Sequence, residues 1–191
     1  GCTATLIAPR WILTAAHCVY PSNGTGNKAG DVLTLLDESI TISNVYSHPE
    51  YSEEGTLKHD IALIELSEPS FSILPTPLYE QNNELGKEMK LSGFGVVGDG
   101  LQDIYDRCFS CALRGANNKV EEANDYQIRF RFDSPDGGNS LPLEGVSAGG
   151  DSGGPAFIET ETGRYVAGVS SFGSRKYNEF DNYTRVCKEL N

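Results

Sequence analysis

The chain has 191 residues, 22% of them charged and 38% hydrophobic, with a formal net charge of −12. That length supports one sizeable core and leaves no room for an accessory domain, while the acidity argues against nucleic acid as a partner because phosphates would be repelled. No stretch reaches the roughly 20 apolar residues that span a bilayer, and no charged-then-apolar leader opens the chain, so a mature or trimmed chain without a membrane span is expected.

Thr5-Leu6-Ile7 and Trp11-Ile12-Leu13 read as strands joined through Ala8-Pro9-Arg10. Ala15 to Cys18 is the one convincing helical turn, and it is too short to stand alone, so neighbouring strands must impose it. Short apolar runs bounded by turn residues follow at Val32 to Leu36, Ile40 to Val45 and Ile61 to Leu66. Glu68 to Glu88 contains Pro69, Pro75 and Pro77, which interrupt strand pairing and mark a boundary between two units. Beyond it lie runs at Met89 to Phe94, Tyr126 to Phe132, Pro155 to Ile158 and Tyr165 to Phe172. Gln127 to Phe132 alternates polar with apolar, the period of a strand with one wet face. Gly98 to Asn124 is polar and yields no readable element, and Asp133 to Gly138 reads as a turn. The punctuation is all-β.

Three segments carry chemistry: Thr14-Ala15-Ala16-His17-Cys18, His59-Asp60-Ile61-Ala62-Leu63 and Gly150-Asp151-Ser152-Gly153-Gly154-Pro155. A serine hydroxyl is a weak nucleophile until an imidazole takes its proton, and the imidazole needs a carboxylate on its other nitrogen to fix the tautomer. Alone, His17 would read as a satisfied histidine beside a strand, Asp60 as a turn or cap, and Ser152 as part of a glycine-rich loop. Together, in this order and these settings, they resemble the chymotrypsin/trypsin-like serine endopeptidases, the reference case for this mechanism.

The resemblance implies two packed antiparallel β-barrels with the active site between them. Residues 1–78 would form the first barrel, lacking its usual opening strand, and 79–191 the second, together one catalytic domain. It implies a secreted endopeptidase acting on proteins or peptides through an acyl-enzyme, a target for protein protease inhibitors, and no cofactor or metal. In the family's roles Ser152 attacks, His17 is general base and then acid, and Asp60 orients His17. The backbone N–H groups of Gly150 and Ser152 form the oxyanion hole, where a side chain at Gly150 would hinder the required backbone conformation.

In the resembled family's specificity pocket, counting back from Ser152 gives Val146, Ser147 and Ala148, Ser171-Phe172-Gly173 forms the opposite wall, and counting back from Tyr183-Thr184-Arg185-Val186 places Asp181 at a position usually glycine. Val146 stands where trypsin carries aspartate, which excludes a plain trypsin. Asp181 then either pairs with a basic P1 side chain or is a solvated turn residue; without it, the Val146 floor favours an apolar P1. Gly98 to Asn124 corresponds to a loop region that varies in length in the family.

The five cysteines are an odd number. The hairpin signal between Cys2 and Cys18 brings them together, and the resemblance implies a disulfide there, a bond that persists in an oxidising compartment. Cys108 and Cys111 form a C-x-x-C pair for which a local disulfide or a bridge to Cys187 is favoured over metal, with the pairing open. Of two sequons, Asn23-Gly24-Thr25 is a glycan candidate, and Asn182-Tyr183-Thr184 is expected to be bare because the family buries that strand.

Asp151 is the activation-linked carboxylate, which in the family pairs with an inserted amino terminus. No such terminus precedes Cys2, so a fragment of a longer protein is expected, with Asp151 in need of another partner. The competing reading is a protease-like binding protein that cleaves nothing, against which stands the retention of all three triad residues. An α/β-hydrolase esterase would place the serine before the histidine.

Overall fold

The computed structural model describes residues 1–20, 26–52, 57–101, 104–106 and 112–190. Asn23, Cys108 and Cys111 lie outside them, and with them the glycan candidate and the C-x-x-C pairing.

The architecture is all-β, with two main sheets and a two-stranded ribbon. The first contains β1 (Thr5–Ala8), β2 (Trp11–Thr14), β3 (Val32–Leu35), β4 (Glu38–Ser47) and β5 (Ala62–Leu66), in the antiparallel order β1-β2-β5-β4-β3. Between β2 and β3 lies α1 (Ala16–Val19), the single turn expected around His17. The second sheet closes into a six-stranded barrel. Its strands are β6 (Glu88–Gly93), β9 (Arg114–Ala123), β10 (Gln127–Arg131), β11 (Pro155–Thr160), β12 (Gly163–Gly173) and β13 (Phe180–Arg185), in the order β10-β13-β12-β11-β6-β9. A two-stranded ribbon, β7 (Val97–Gly98) with β8 (Ile104–Asp106), stands beside it. This is the two-barrel, chymotrypsin-like architecture, with the first unit present as a five-stranded sheet.

Each unit buries its own core. Leu6, Ile12, Ile40, Ile42, Ile64 and Leu66 pack in the first, and Met89, Leu91, Val120, Ile128, Phe130 and Tyr183 in the second. A third cluster mixes the two: Leu13, Ala15 and Ile61 meet Val166, Val169 and Val186.

One element departs from the sequence reading. Arg114 to Ala123, within the stretch expected to be loop, is a ten-residue barrel strand paired with both β6 and β10. Its core positions include Asn118 as well as Val120. The buried amide is satisfied, because Asn118 Nδ2 donates to the carbonyls of Arg131 (2.9 Å) and Gly145 (3.0 Å). A hydrogen-bonded polar residue thus occupies an inward position that an alternation of apolar residues would have announced.

Candidate active site

The pairing of β2 with β5 places Thr14 opposite Ala62. His17 follows Thr14 by three residues and Asp60 precedes Ala62 by two, so both emerge from the same end of the ladder. His17 Nδ1 lies 2.7 Å from Asp60 Oδ2, and the His17 backbone N–H donates to Oδ1 at 2.9 Å. Asp60 is fully buried and His17 partly exposed. A buried carboxylate facing Nδ1 keeps the ring proton there and leaves Nε2 with its lone pair.

The barrel contributes to the same carboxylate. Where β12 pairs with β13, Ser170 lies opposite Tyr183 and Phe172 opposite Asn182, so Ser171 is the extra residue of a bulge. Its hydroxyl donates to Asp60 Oδ2 at 2.5 Å, and Thr184 Oγ1 donates to the Asp60 carbonyl at 2.9 Å. Sequence reasoning had placed Ser171 only in the pocket wall; neither donor carries a local signal that points at Asp60.

Ser152 sits in the turn before β11. That turn is tied to β12 through Gly153 N–H to the Ser170 carbonyl and Ser170 N–H to the Gly154 carbonyl, each 2.8 Å. It is tied to the first sheet by the Thr3 N–H, which donates to the Ser152 carbonyl at 2.8 Å, and by Thr3 Oγ1, which donates to the Gly150 carbonyl at 2.9 Å. The disulfide Cys2–Cys18 brackets this contact and joins the chain start to the His17 turn. Among the described residues the Ser152 hydroxyl takes part in no hydrogen bond; in free enzymes such contacts are often long and tighten on substrate binding. Gly150 has φ +102° and Gly153 φ +81°. A Cβ on Gly153 would lie 2.2 Å from Thr14 Oγ1 and 2.5 Å from the Thr3 carbonyl oxygen.

Asp151 finds partners in the backbone: Gly95 N–H donates to Oδ1 (2.8 Å) and Ala148 N–H to Oδ2 (2.9 Å). Burial pushes its carboxyl up, opposed by those two amides and by the charge of Arg114. A cavity of about 410 Å³ opens beside it, lined among others by Val146, Ser147, Ala148 and Asp151. The other four residues of the expected pocket, Ser171, Phe172, Gly173 and Asp181, lie outside that lining.

Asp181 is fixed by β13, opposite Gly173, and is 1% exposed, so it is no solvated turn residue. It accepts hydrogen bonds from Ser147 N–H (2.7 Å) and Ser147 Oγ (2.9 Å), which joins the two halves of the expected pocket. Burial pushes its carboxyl up to about 7 against the pull of the Ser147 bonds. The neighbouring Asn182 is engaged on both amide atoms, receiving Arg129 Nε and donating to the Phe172 carbonyl, and is only 6% exposed. Among the described residues Cys187 is a free thiol. Burial and the adjacent Glu84 carboxylate raise it to about 11.

The fold and this constellation are those of the trypsin class, and the sequence matches the Trypsin family model over residues 1–191; the chain belongs to that family. It is 32% identical over 184 residues to Serine protease SP24D of Anopheles gambiae, covering 90% of this chain and 62% of that one. To Tryptase of Mus musculus it is 30% identical over 215 residues, covering 99% and 76%. To Urokinase-type plasminogen activator of Gallus gallus it is 29% identical over 215 residues, covering 100% and 49%. The chain thus spans between half and three quarters of the length of these curated relatives. Among the described residues no helix is long and apolar enough to cross a membrane.

Proposed function

We propose that the chain is the catalytic domain of a secreted serine endopeptidase, with residues 1–78 and 79–191 as its two barrels. The observation that carries this reading is the buried Asp60 carboxylate, which holds the His17 imidazole through Nδ1 at 2.7 Å while the Ser152 turn is tied beside it by Thr3. His17 Nε2 takes the Ser152 hydroxyl proton as Oγ bonds to the scissile carbonyl carbon. The carbonyl electron pair moves onto oxygen and is met by the N–H groups of Gly150 and Ser152. Collapse expels the amine, which leaves with the proton from His17, and an ester on Ser152 remains. Water, deprotonated by His17, repeats the sequence and releases the acid. Asp60 stabilises the imidazolium in both halves. No cofactor is required.

Substrates are proteins or peptides, and protein protease inhibitors are the matching partners. The Cys2–Cys18 disulfide supports an extracellular setting. For specificity, Asp181 lies directly behind Ser147, so a P1 guanidinium or ammonium reaching Ser147 meets a carboxylate from the wall opposite Val146. Such a cation also favours the ionised form of Asp181.

Labelling with a fluorophosphonate probe tests the relay. The chain is expected to be labelled and Ser152→Ala to be blank. Absence of labelling in the folded chain would leave a binding protein of the same fold. A peptide panel differing only at P1 tests the pocket: equal turnover of Arg/Lys and Phe/Leu peptides would remove Asp181 from recognition.

A further inference from the structure

The serine turn is held carbonyl by carbonyl. Val96 N–H donates to the Gly149 carbonyl (2.9 Å), Gly154 N–H to that of Asp151 (2.8 Å) and Thr3 N–H to that of Ser152 (2.8 Å). Each of these donors is a main-chain amide, which any residue but proline supplies. The Gly150 carbonyl differs, because the Thr3 hydroxyl donates to it, at 2.9 Å. That hydroxyl in turn accepts the Phe94 N–H at 3.2 Å, so both its donor and its acceptor capacity are engaged, and Thr3 is only 4% exposed. Of the four contacts, this one alone depends on a side chain.

The place of this contact bears on the oxyanion. In a trans peptide the C=O and N–H point in opposite directions within one plane, so the Val96 bond to the Gly149 carbonyl turns the Gly150 N–H the other way. The Gly154 bond to the Asp151 carbonyl does the same for the Ser152 N–H. The plane between Gly149 and Gly150 is flanked by two residues without a Cβ and can rotate at little steric cost; rotated, it would present a carbonyl where the oxyanion needs a donor. Val96 restrains that plane directly, and Thr3 restrains the next one, fixing the direction in which the chain leaves Gly150 at φ +102°. Three successive amides of the segment leaving β6 thus grip the serine turn: Val96 on the Gly149 carbonyl, Gly95 on the Asp151 carboxylate, and Phe94 on Gly150 through the Thr3 hydroxyl. Thr3 is itself held, by the Thr14 hydroxyl on its carbonyl (3.0 Å) and by the disulfide at the adjacent Cys2.

We propose that Thr3 is a positioning residue for the oxyanion hole: its hydroxyl keeps the Gly150 N–H directed at the substrate carbonyl. This role rests on the endopeptidase reading of Gly150 and Ser152 given above. The Thr3 hydroxyl is spent on Phe94 and Gly150 and acts on the reaction only through the Gly150 amide. Its contribution therefore falls on the transition state, where negative charge grows on the carbonyl oxygen, and not on the binding of substrate. Removing an oxyanion donor outright costs about 10²–10³ in rate; a donor left in place but loosened costs less, about tenfold.

Saturation kinetics with a fluorophosphonate probe separate the two effects, since the maximal labelling rate reports the bond-forming step and the half-saturating concentration reports binding. Thr3→Val, which keeps the shape and removes the hydroxyl, is expected to lower the maximal rate about tenfold and to leave the half-saturating concentration within about twofold. Thr3→Ser, which returns the hydroxyl, is expected to restore the rate. Ile42→Val loosens the core of the first sheet without reaching the turn and is expected to label as the parent does, so that lost stability alone does not produce the effect. Hydrogen exchange at the Phe94 amide reads the same contact without reference to chemistry and is expected to be at least about tenfold faster in Thr3→Val. A parental labelling rate in folded Thr3→Val, a change confined to the half-saturating concentration, or unchanged exchange at Phe94 would overturn the proposal. Thr3→Ala, which makes no demand on space, decides by the same measures if Thr3→Val does not fold. A parent chain that takes no label would instead overturn the endopeptidase reading, and this role with it.

Discussion

Asp181→Asn isolates one buried charge. The carboxyl ionises near 7 in the fold against an ordinary value of 3.8, so between those values the folded chain binds the extra proton. The contribution of this group to stability is therefore fully present below about pH 4, falls as pH rises towards 7, and stays level above. A proton held across that interval corresponds to about 4 kcal/mol once both states are ionised. Asparagine keeps the shape of the neutral acid. Its Oδ1 can take the Ser147 N–H, and its Nδ2 can donate to Ser147 Oγ, because a hydroxyl serves as donor or acceptor. The variant should match the parent near pH 4 and exceed it at pH 8 by several kcal/mol. With a urea slope of about 2 kcal/mol/M, this is a midpoint difference of roughly 2 M. Urea denaturation at intervals from pH 4 to 8 measures it. Parallel midpoint curves for the two proteins, or a less stable variant at pH 8, would refute the assignment of a costly buried charge at Asp181.

Two further outcomes follow from the serine turn. Gly153→Ala forces a Cβ against Thr14 Oγ1 and the Thr3 carbonyl from a left-handed backbone; the chain should lose more than the roughly 1 kcal/mol that the backbone conformation alone costs, and lose probe labelling, read by melting and by gel fluorescence. Removing the disulfide by Cys2→Ser with Cys18→Ser opens a loop of 16 residues and should cost about 3 kcal/mol, measured by the denaturation midpoint with disulfide-intact chain as reference; an unchanged midpoint would show that Thr3 alone holds the chain start.

Much of this molecule could be read from residue order because its strands carry their apolar residues in short bounded runs. Ile40 to Val45 lies within β4 and Met89 to Phe94 covers most of β6, and both supply core. β9 escaped because Asn118 sits where an apolar residue was expected and is satisfied by carbonyls whose positions depend on the closed barrel. The partners of Asp151 were equally hidden, since they are main-chain amides of Gly95 and Ala148 and any residue type but proline supplies one. Asp181 was placed by counting back from Tyr183, but only its pairing with Gly173 decides that it is walled in.

The proposed relay is held in place by contacts outside the elements that carry it. His17 rides on one helical turn and Ser152 on a turn between strands, and neither has enough internal hydrogen bonding to hold a side chain within the fraction of an ångström that proton transfer demands. The restraint comes from the junction. Ala15 and Ile61, each close in sequence to a relay residue, pack with Val166, Val169 and Val186 from the barrel, and Ala15 and Ala16 are wholly buried. Across the same junction Asp60 receives Ser171 and Thr184, and the Ser152 carbonyl receives Thr3. The His17–Asp60 pair and the Ser152 turn can therefore hold their relative places only while the two units are docked. Ala15 and Ile61 are thus apolar because they are interface core, while the proposed chemistry needs only three side chains and two amides.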